Sequence, residues 1–181
     1  MYKPYPENFK YPEIESEVLK FWKEKKKKKK SVESRPADKS FTFYEGPPTA
    51  NGKPGIHHVM ARTLKDLICR YKTLQGYQVQ RRAGWDTHGL PVEIEVEKQL
   101  GIKSKADIPI FGVEKYNEAC RLSVFTYKDL WEKMTDRMGY WIDLESAYIT
   151  CTNNYIESVW WSLKTLIDKG LIFKDYKIVP Q

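Results

Sequence analysis

Between Phe41 and His58 the chain passes from Phe-Thr-Phe-Tyr through a loop of glycines and prolines to two adjacent histidines. This order restricts the fold more than any other segment. Residues 41 to 44 are aromatic or β-branched, as in a short buried strand, and the next eleven contain three prolines and three glycines, which exclude regular structure. From Met60 the apolar residues recur at Leu64, Leu67, Ile68, Tyr71 and Leu74 before Gly76, the spacing of a helix with a C-terminal stop. His57 and His58 are therefore predicted at or just before a helix N-terminus. Free backbone N–H groups and the positive end of the helix dipole favour anions there, and two imidazoles add donors that reach phosphate oxygens. The plainer alternative is that the pair caps the helix or fills a surface groove.

Tyr77 and Val79 alternate with polar neighbours up to Ala83-Gly84, which predicts a second strand. Strand, helix and strand over this length make a βαβ unit, so the strands should be parallel with a right-handed crossover. Ligands in such sheets bind beyond the carboxyl ends of the strands, which sets the first loop beside Gly84-Trp-Asp-Thr-His-Gly-Leu-Pro91. Leu90 to Leu100 reads as a helix closed by Gly101, and residues 102 to 112 as a surface connection. Tyr116, Cys120, Val124, Tyr127, Trp131, Met134 and Met138 form one long core-facing stripe; Tyr155, Val159, Leu163 and Leu166 form another. Base stacking by these aromatic residues is the less favoured reading of the stripes. Leu171 to Pro180 is expected to turn into a last strand, from Tyr176 to Gln181.

The net charge of +7 suggests a polyanion partner, but Lys25 to Lys30 is one run; the 31 basic residues less these six leave 25 against 24 acidic ones. The run reads as a solvated helix extension or a disordered linker, with an RNA-binding element as the alternative. Before it, Ile14, Val18, Leu19, Phe21 and Trp22 mark a short amphipathic helix in an N-terminal arm, residues 1 to 40. The three cysteines form no Cys-x-x-Cys pair, so neither a zinc ribbon nor a disulfide framework is indicated, and reduced thiols are expected. No stretch approaches the ~20 apolar residues of a membrane span, and the first residues lack the apolar centre of a secretory signal. A cytoplasmic address is expected, with no membrane partner.

Five segments together resemble the class I aminoacyl-tRNA synthetases: Phe43-Tyr-Glu-Gly-Pro-Pro-Thr-Ala-Asn-Gly52, Lys65-Asp66, Arg70-Tyr-Lys-Thr73, Gly84-Trp-Asp-Thr-His-Gly-Leu-Pro-Val-Glu93 and Tyr155-Ile-Glu-Ser-Val-Trp-Trp-Ser-Leu163. Leucine-specific members resemble Gly-Trp-Asp-Ala-Phe-Gly at the second loop and valine-specific ones carry Asp-His-Ala-Gly. Asp86-Thr-His-Gly89 favours the isoleucine branch.

The resemblance implies an α/β fold, the first half of a Rossmann-like parallel-sheet nucleotide-binding domain over residues 41 to 181, truncated before an editing insertion. It implies activation of isoleucine with ATP and transfer to tRNA(Ile) in the complete enzyme, with Mg²⁺ held mainly by the ATP phosphates and no zinc site. By the same resemblance His57 and His58 are catalytic; Pro48, Thr49, Asn51, Gly52, Gly55, His57 and His58 bind ATP; and Gly46, Pro47 and Asp86 line the amino-acid pocket. A carboxylate at Asp86 suits an α-ammonium and Pro47 offers a rigid apolar wall, while a turn role for Asp86 is the alternative. His88 either donates to the site or braces its loop. The family tetrapeptide usually reads His-x-Gly-His, whereas Gly55-Ile-His-His58 exchanges its first and third positions, so His57 must reach the phosphates from a place usually held by glycine. The mobile Lys-Met-Ser-Lys-Ser loop, the editing insertion and the anticodon-binding domain do not occur in these residues. A different class of function, a non-catalytic nucleotide- or tRNA-binding module, is the alternative.

Overall fold

A computed structural model describes residues 8–49 and 51–179. Ala50, Pro180, Gln181 and the first seven residues, on which parts of the loop, the last strand and the leader argument fall, lie outside the described residues. The elements run α1 (Tyr11–Glu24), α2 (Lys27–Glu33), β1 (Ser40–Tyr44), α3 (Ile56–Leu74), β2 (Gln78–Trp85), α4 (Leu90–Leu100), α5 (Asp107–Phe111), α6 (Val113–Ser123), α7 (Lys128–Arg137), β3 (Asp143–Ile149) and α8 (Asn153–Asp168). The sheet order is β1-β2-β3, with β1 and β2 parallel and Phe41 opposite Val79. The α/β class and the parallel βαβ unit follow the expectation from hydrophobic periodicity. Tyr44 pairs with Arg82 and Thr49 bridges Asp86, so five residues beyond Tyr44 oppose four beyond Arg82. The extra residue takes up the Gly-Pro-Pro turn as a bulge would.

The chain divides into two compact units. One comprises the residues up to Glu45, Gly52–Ala83 and Tyr127–Ser146; the other comprises Gly46–Asn51, Gly84–Thr126 and the residues from Ala147 onward.

In the first unit α1 is tied down by its ends. Trp22 meets Trp141 edge-on at 5.1 Å, Arg70 lies over both rings, and Arg137 pairs with Glu15 at 2.7 Å. The lysine run is for most of its length the solvated helix extension expected, with all six lysines exposed. It bends at Lys26, whose φ of 50° is left-handed, and resumes as α2. Lys28 then donates to the Ile142 carbonyl in a part-buried contact, and burial of the ammonium pushes its pKa down.

The second unit has an apolar core of Val92, Val96, Tyr116 and Val124, with Ile102, Ile108, Ala119 and Cys120 against it. α4 ends at Gly101, φ 69°, as its sequence requires. The connection expected from 102 to 112 contains α5, and two of its isoleucines join this core.

Three expectations fail. The stripe from Tyr116 to Met138 is not one helix, because Val124-Phe-Thr-Tyr127 forms turns between α6 and α7. Four β-branched or aromatic residues in succession are poor helix formers, and no glycine or proline marks the break. The α8 stripe is not core: α8 buries no residue, Val159, Leu163 and Leu166 are exposed, and Tyr155 stacks on Tyr148 at 5.6 Å. Periodicity makes a helix amphipathic without supplying its partner surface. Residues 171 to 179 form no strand: beyond the Leu171 N–H, which bonds the Leu166 carbonyl at 3.0 Å, none of the described backbone supplies the neighbour's hydrogen bonds that a strand needs. β3, in contrast, was not foreseen.

Candidate functional site

The second unit holds the Gly-Pro-Pro-Thr turn and the Gly-Trp-Asp loop in contact. The Asp86 N–H donates to the Pro48 carbonyl at 3.0 Å, and the Thr49 hydroxyl donates to Asp86 Oδ2 at 3.2 Å. Asn51 Nδ2 donates to the Pro91 carbonyl at the start of α4, at 3.2 Å. Asp86 is half-buried, with Oδ1 held by no hydrogen bond among the described residues; His88 Nδ1 stands 3.9 Å away, too far for one. Pro47 is half-buried and Gly46 exposed. The two loops expected to be neighbours are therefore brought together at Pro48, Thr49 and Asp86.

A threonine pair below this contact fixes the second loop. Thr87 and Thr150 are both buried. Thr150 Oγ1 accepts from the Thr87 N–H at 3.0 Å and lies 2.6 Å from His88 Nδ1, while Thr87 Oγ1 accepts from the Cys151 N–H at 3.0 Å. With the Thr87 hydroxyl donating to Thr150 across 3.2 Å, the Thr150 hydroxyl donates to His88 Nδ1 and every proton has an acceptor. His88 is braced by this pair, its other nitrogen on an exposed ring. Thr150 lies beyond β3 and carries no motif, so nothing in the sequence pointed to it. Gly84 is required here for a steric reason: a Cβ would stand 2.2 Å from Cζ of the Tyr148 ring. The Trp85 indole N–H is buried and has no partner among the described residues.

The first unit holds the remaining loop residues and both histidines. α3 begins at Ile56, so His57 and His58 lie within its first turn, at the second and third positions, slightly later than expected. Gly55 has no side chain to cap the first helical N–H groups. His58 compensates from inside the helix: its Nδ1 accepts from the Gly55 N–H at 2.9 Å while its own N–H bonds the Gly55 carbonyl at 3.0 Å. An accepting Nδ1 places the proton of the neutral ring on Nε2. Burial, helped by the neighbouring His57 and the Arg62 charge and opposed by the Gly55 hydrogen bond, holds the His58 pKa below its ordinary value, so at neutral pH the ring is uncharged with one N–H donor, Nε2–H. His57 is exposed, its ring 3.8 Å from that of His58. The exchange of glycine and histidine also has a local cause. A Cβ at Gly55 would meet the ring of the exposed His57 at 2.9 Å, so glycine leaves room for His57 to fold back. Nothing lies within 4 Å of a Cβ built at Gly52, which leaves its backbone open to a ligand.

Two further residues of this unit escaped the sequence reading. Glu45, the residue after β1, is 2% exposed; its carboxylate accepts from the Tyr140 hydroxyl at 2.8 Å and pairs with Lys65 of α3. Trp131 on α7 donates to the Gly52 carbonyl. Among the described residues no cluster of three or more His, Cys, Asp or Glu side chains could hold a metal ion, and no helix is long and apolar enough to cross a membrane.

Comparison with known proteins converges on one family. Residues 17–181 match the model of "tRNA synthetases class I (I, L, M and V)". The chain is 59% identical over 170 residues to the isoleucine–tRNA ligase of Thermus thermophilus, covering 94% of this chain and 16% of the relative. It is 52% identical over 180 residues to that of Clostridium acetobutylicum, covering 99% and 17%. It therefore spans about a sixth of the length of these curated relatives. Among solved structures, the LeuRS of Agrobacterium radiobacter K84 in a ternary complex with tRNA and LeuAMS superposes with a TM-score of 0.60 at 22% identity, over 93% of this chain and 19% of that one, a likeness of fold. With a family match over residues 17–181, the chain belongs to the class I tRNA synthetases of the I, L, M and V group.

Proposed function

We propose that these residues are the N-terminal part of the catalytic domain of an isoleucine–tRNA ligase, preceded by the arm of residues 1 to 40 and acting in the cytoplasm. The enzyme joins isoleucine and ATP into isoleucyl-adenylate and transfers the acyl group to tRNA(Ile). In the first step a carboxylate oxygen of isoleucine attacks the α-phosphorus, the bond to the bridging oxygen breaks, and pyrophosphate leaves. In the second, a ribose hydroxyl at the 3′ end of the tRNA attacks the acyl carbon, AMP departs and the hydroxyl proton is lost. Neither step needs a covalent enzyme intermediate, so orientation and neutralisation of charge supply the rate.

The observation that carries this reading is the state of His58: a neutral imidazole at a helix N-terminus, its proton fixed on Nε2 by the Gly55 bond. Such a group gives a phosphate oxygen a hydrogen bond without needing protonation at neutral pH. His57 and the first N–H groups of α3 add to it, and Gly52 and Gly55 let the nucleotide approach the backbone. Pro48, Thr49 and Asn51 complete the ATP contacts. Asp86, held by Thr49 through Oδ2, presents Oδ1 to the substrate ammonium, with Gly46 and Pro47 lining the rest of the amino-acid pocket. Mg²⁺ enters with ATP, coordinated mainly by its phosphates.

Isoleucine-dependent ATP–pyrophosphate exchange, measured on the protein expressed from its full reading frame, tests the assignment. Losing one preorganised donor lowers exchange by about 10²–10³-fold, the effect expected of His58→Ala. Asp86→Asn should raise KM for isoleucine far more than KM for ATP. Exchange left intact by His58→Ala would remove His58 from the mechanism.

A further inference from the structure

Trp131 lies 73 residues beyond His58 in sequence, on α7, and is 2% exposed. Its surroundings are not those of an apolar core. The indole Nε1–H donates to the Gly52 carbonyl at 2.9 Å. The ring meets the His58 imidazole edge-on, with centroids 4.6 Å apart at 64°. Over the same indole, at 5.2 Å, stands the guanidinium of Arg62, one turn after His58 on α3. Arg62 donates to the Thr135 hydroxyl, and Thr135 donates to the Trp131 carbonyl at 2.7 Å, so cation, hydroxyl, backbone and indole close on each other. One rigid bicyclic side chain thus touches both the loop entering α3 and the imidazole in its first turn.

We propose that Trp131 is a positioning residue of the nucleotide site, holding the Gly52 backbone and the His58 ring in one fixed mutual arrangement. This rests on the reading of His58 as a phosphate donor. The physical reason is preorganisation. A Gly-rich loop has many backbone states, and a donor aimed at a developing charge contributes only when it is already in place. The indole N–H selects one loop state, and the ring edge, backed by Arg62, restricts rotation of the imidazole about its side-chain bonds. Being a step removed from the ligand, Trp131 takes no part in the chemistry itself.

Two substitutions separate its contacts. Trp131→Phe keeps an aromatic ring beside His58 and Arg62 but removes the donor to Gly52; Trp131→Leu removes both. The measurements, made on the protein from its full reading frame, are KM and kcat for ATP in pyrophosphate exchange, KM for isoleucine, Tm, and the titration of His58 by NMR, its signal assigned by its loss in His58→Gln. Loss of one hydrogen bond is expected to raise KM for ATP in Trp131→Phe by about 3- to 10-fold, leaving KM for isoleucine and the His58 titration near wild type. In Trp131→Leu the His58 titration should move up toward that of an exposed histidine and kcat should fall further than in the Phe variant. If both variants lower Tm but leave KM for ATP, kcat and the His58 titration unchanged, Trp131 is core only and the proposal falls. If Trp131→Leu does not fold, an unchanged KM for ATP in Trp131→Phe is sufficient to overturn it. A His58 titration that responds to Trp131 in a wild-type protein showing no exchange would support the positioning and overturn the ATP reading instead.

Discussion

Helices α3 and α4 both start at a glycine and both follow a signature loop, yet they bury opposite kinds of residue. α4 turns Val92 and Val96 into an apolar core, in keeping with its sequence pattern. α3 buries Arg62, Cys69 and Thr73, while Met60, Leu64, Leu67, Ile68, Tyr71 and Leu74 stay 53–84% exposed. Around α3 the chain is held by directional bonds. Lys65 and Tyr140 converge on Glu45; Arg62 meets Thr135; and Arg81 reaches the Thr73 hydroxyl at 2.6 Å and the Trp141 carbonyl at 3.1 Å. Apolar packing tolerates small shifts of a helix, because its energy depends on area. A buried polar cluster has few good arrangements and a large penalty for others, even though Arg81 Nε finds no partner among the described residues. The difference teaches that the helix bearing the histidines is fixed in register rather than merely held, which is what positioning His58 demands.

The sharpest way to break this contrast is Glu45→Ala. Glu45 anchors Lys65 and the Tyr140 hydroxyl, and its removal leaves a buried phenol beside Arg62 without its acceptor. Breaking a buried charged pair costs about 3–5 kcal/mol, toward the lower end here because Lys65 can turn its ammonium to solvent. Urea unfolding should show that loss, and Glu45→Gln, which keeps an acceptor for Tyr140, should recover part of it. A cost no greater than that of a single core truncation would mean that α3 is held by packing after all.

That core truncation is the next test. Val96 is buried to 1% exposure in the apolar cluster, and Val96→Ala removes two methyl groups at ~0.8 kcal/mol each before any cavity term, about 2 kcal/mol in total. The loss should be the same at pH 5 and pH 8, since the cluster around Val96 carries no group that titrates between them. A comparable loss comes from overpacking the same unit: Gly84→Ala drives a Cβ into the Tyr148 ring and should cost about 1–3 kcal/mol. If Gly84→Ala is neutral by thermal unfolding, Tyr148 has room to move and the second loop is less rigid than its hydrogen bonds imply.

How much of this was legible follows the same division. Local chemistry was readable: the strand from Phe41 and the stop at Gly101 stem from turn residues and periodicity acting over a few positions, and the parallel βαβ unit they build sets the first loop beside the second. Periodicity also gave α3 as a helix, but not which side faces inward, because the pattern reports amphipathicity and the neighbours decide burial. The residues that organise the site were invisible for a related reason. Glu45 and Tyr140 are 95 positions apart, Trp131 and Gly52 are 79 apart, and each looks ordinary in its own segment: an acid after a strand, an aromatic on a stripe. Thr150 meets Thr87 across 63 positions in the same way. The missed break at Val124 is different in kind, since four residues of weak propensity end a helix without any punctuation.

The smallest test asks whether the two helices also differ in their response to acid. Burial lowers the His58 pKa, with the His57 and Arg62 charges acting in the same direction, and folding therefore favours the neutral ring. A group with a depressed basic pKa contributes its stabilisation fully above the unfolded value, about 6.5, and loses it as pH falls through the lowered folded value. His58→Gln keeps an acceptor at the third helical position for the Gly55 N–H, as in an ordinary capping box, but cannot take up a proton. Urea unfolding of both proteins from pH 7.5 to pH 5 should show the wild type losing stability relative to His58→Gln, by less than the Val96→Ala effect and with no change in m-value. Because every other titrating group is common to the two proteins, the difference curve isolates this ring. A difference independent of pH would mean that His58 reaches solvent freely when folded. The enclosure formed by Trp131 and Arg62 would then not hold the imidazole in the neutral state that phosphate recognition uses.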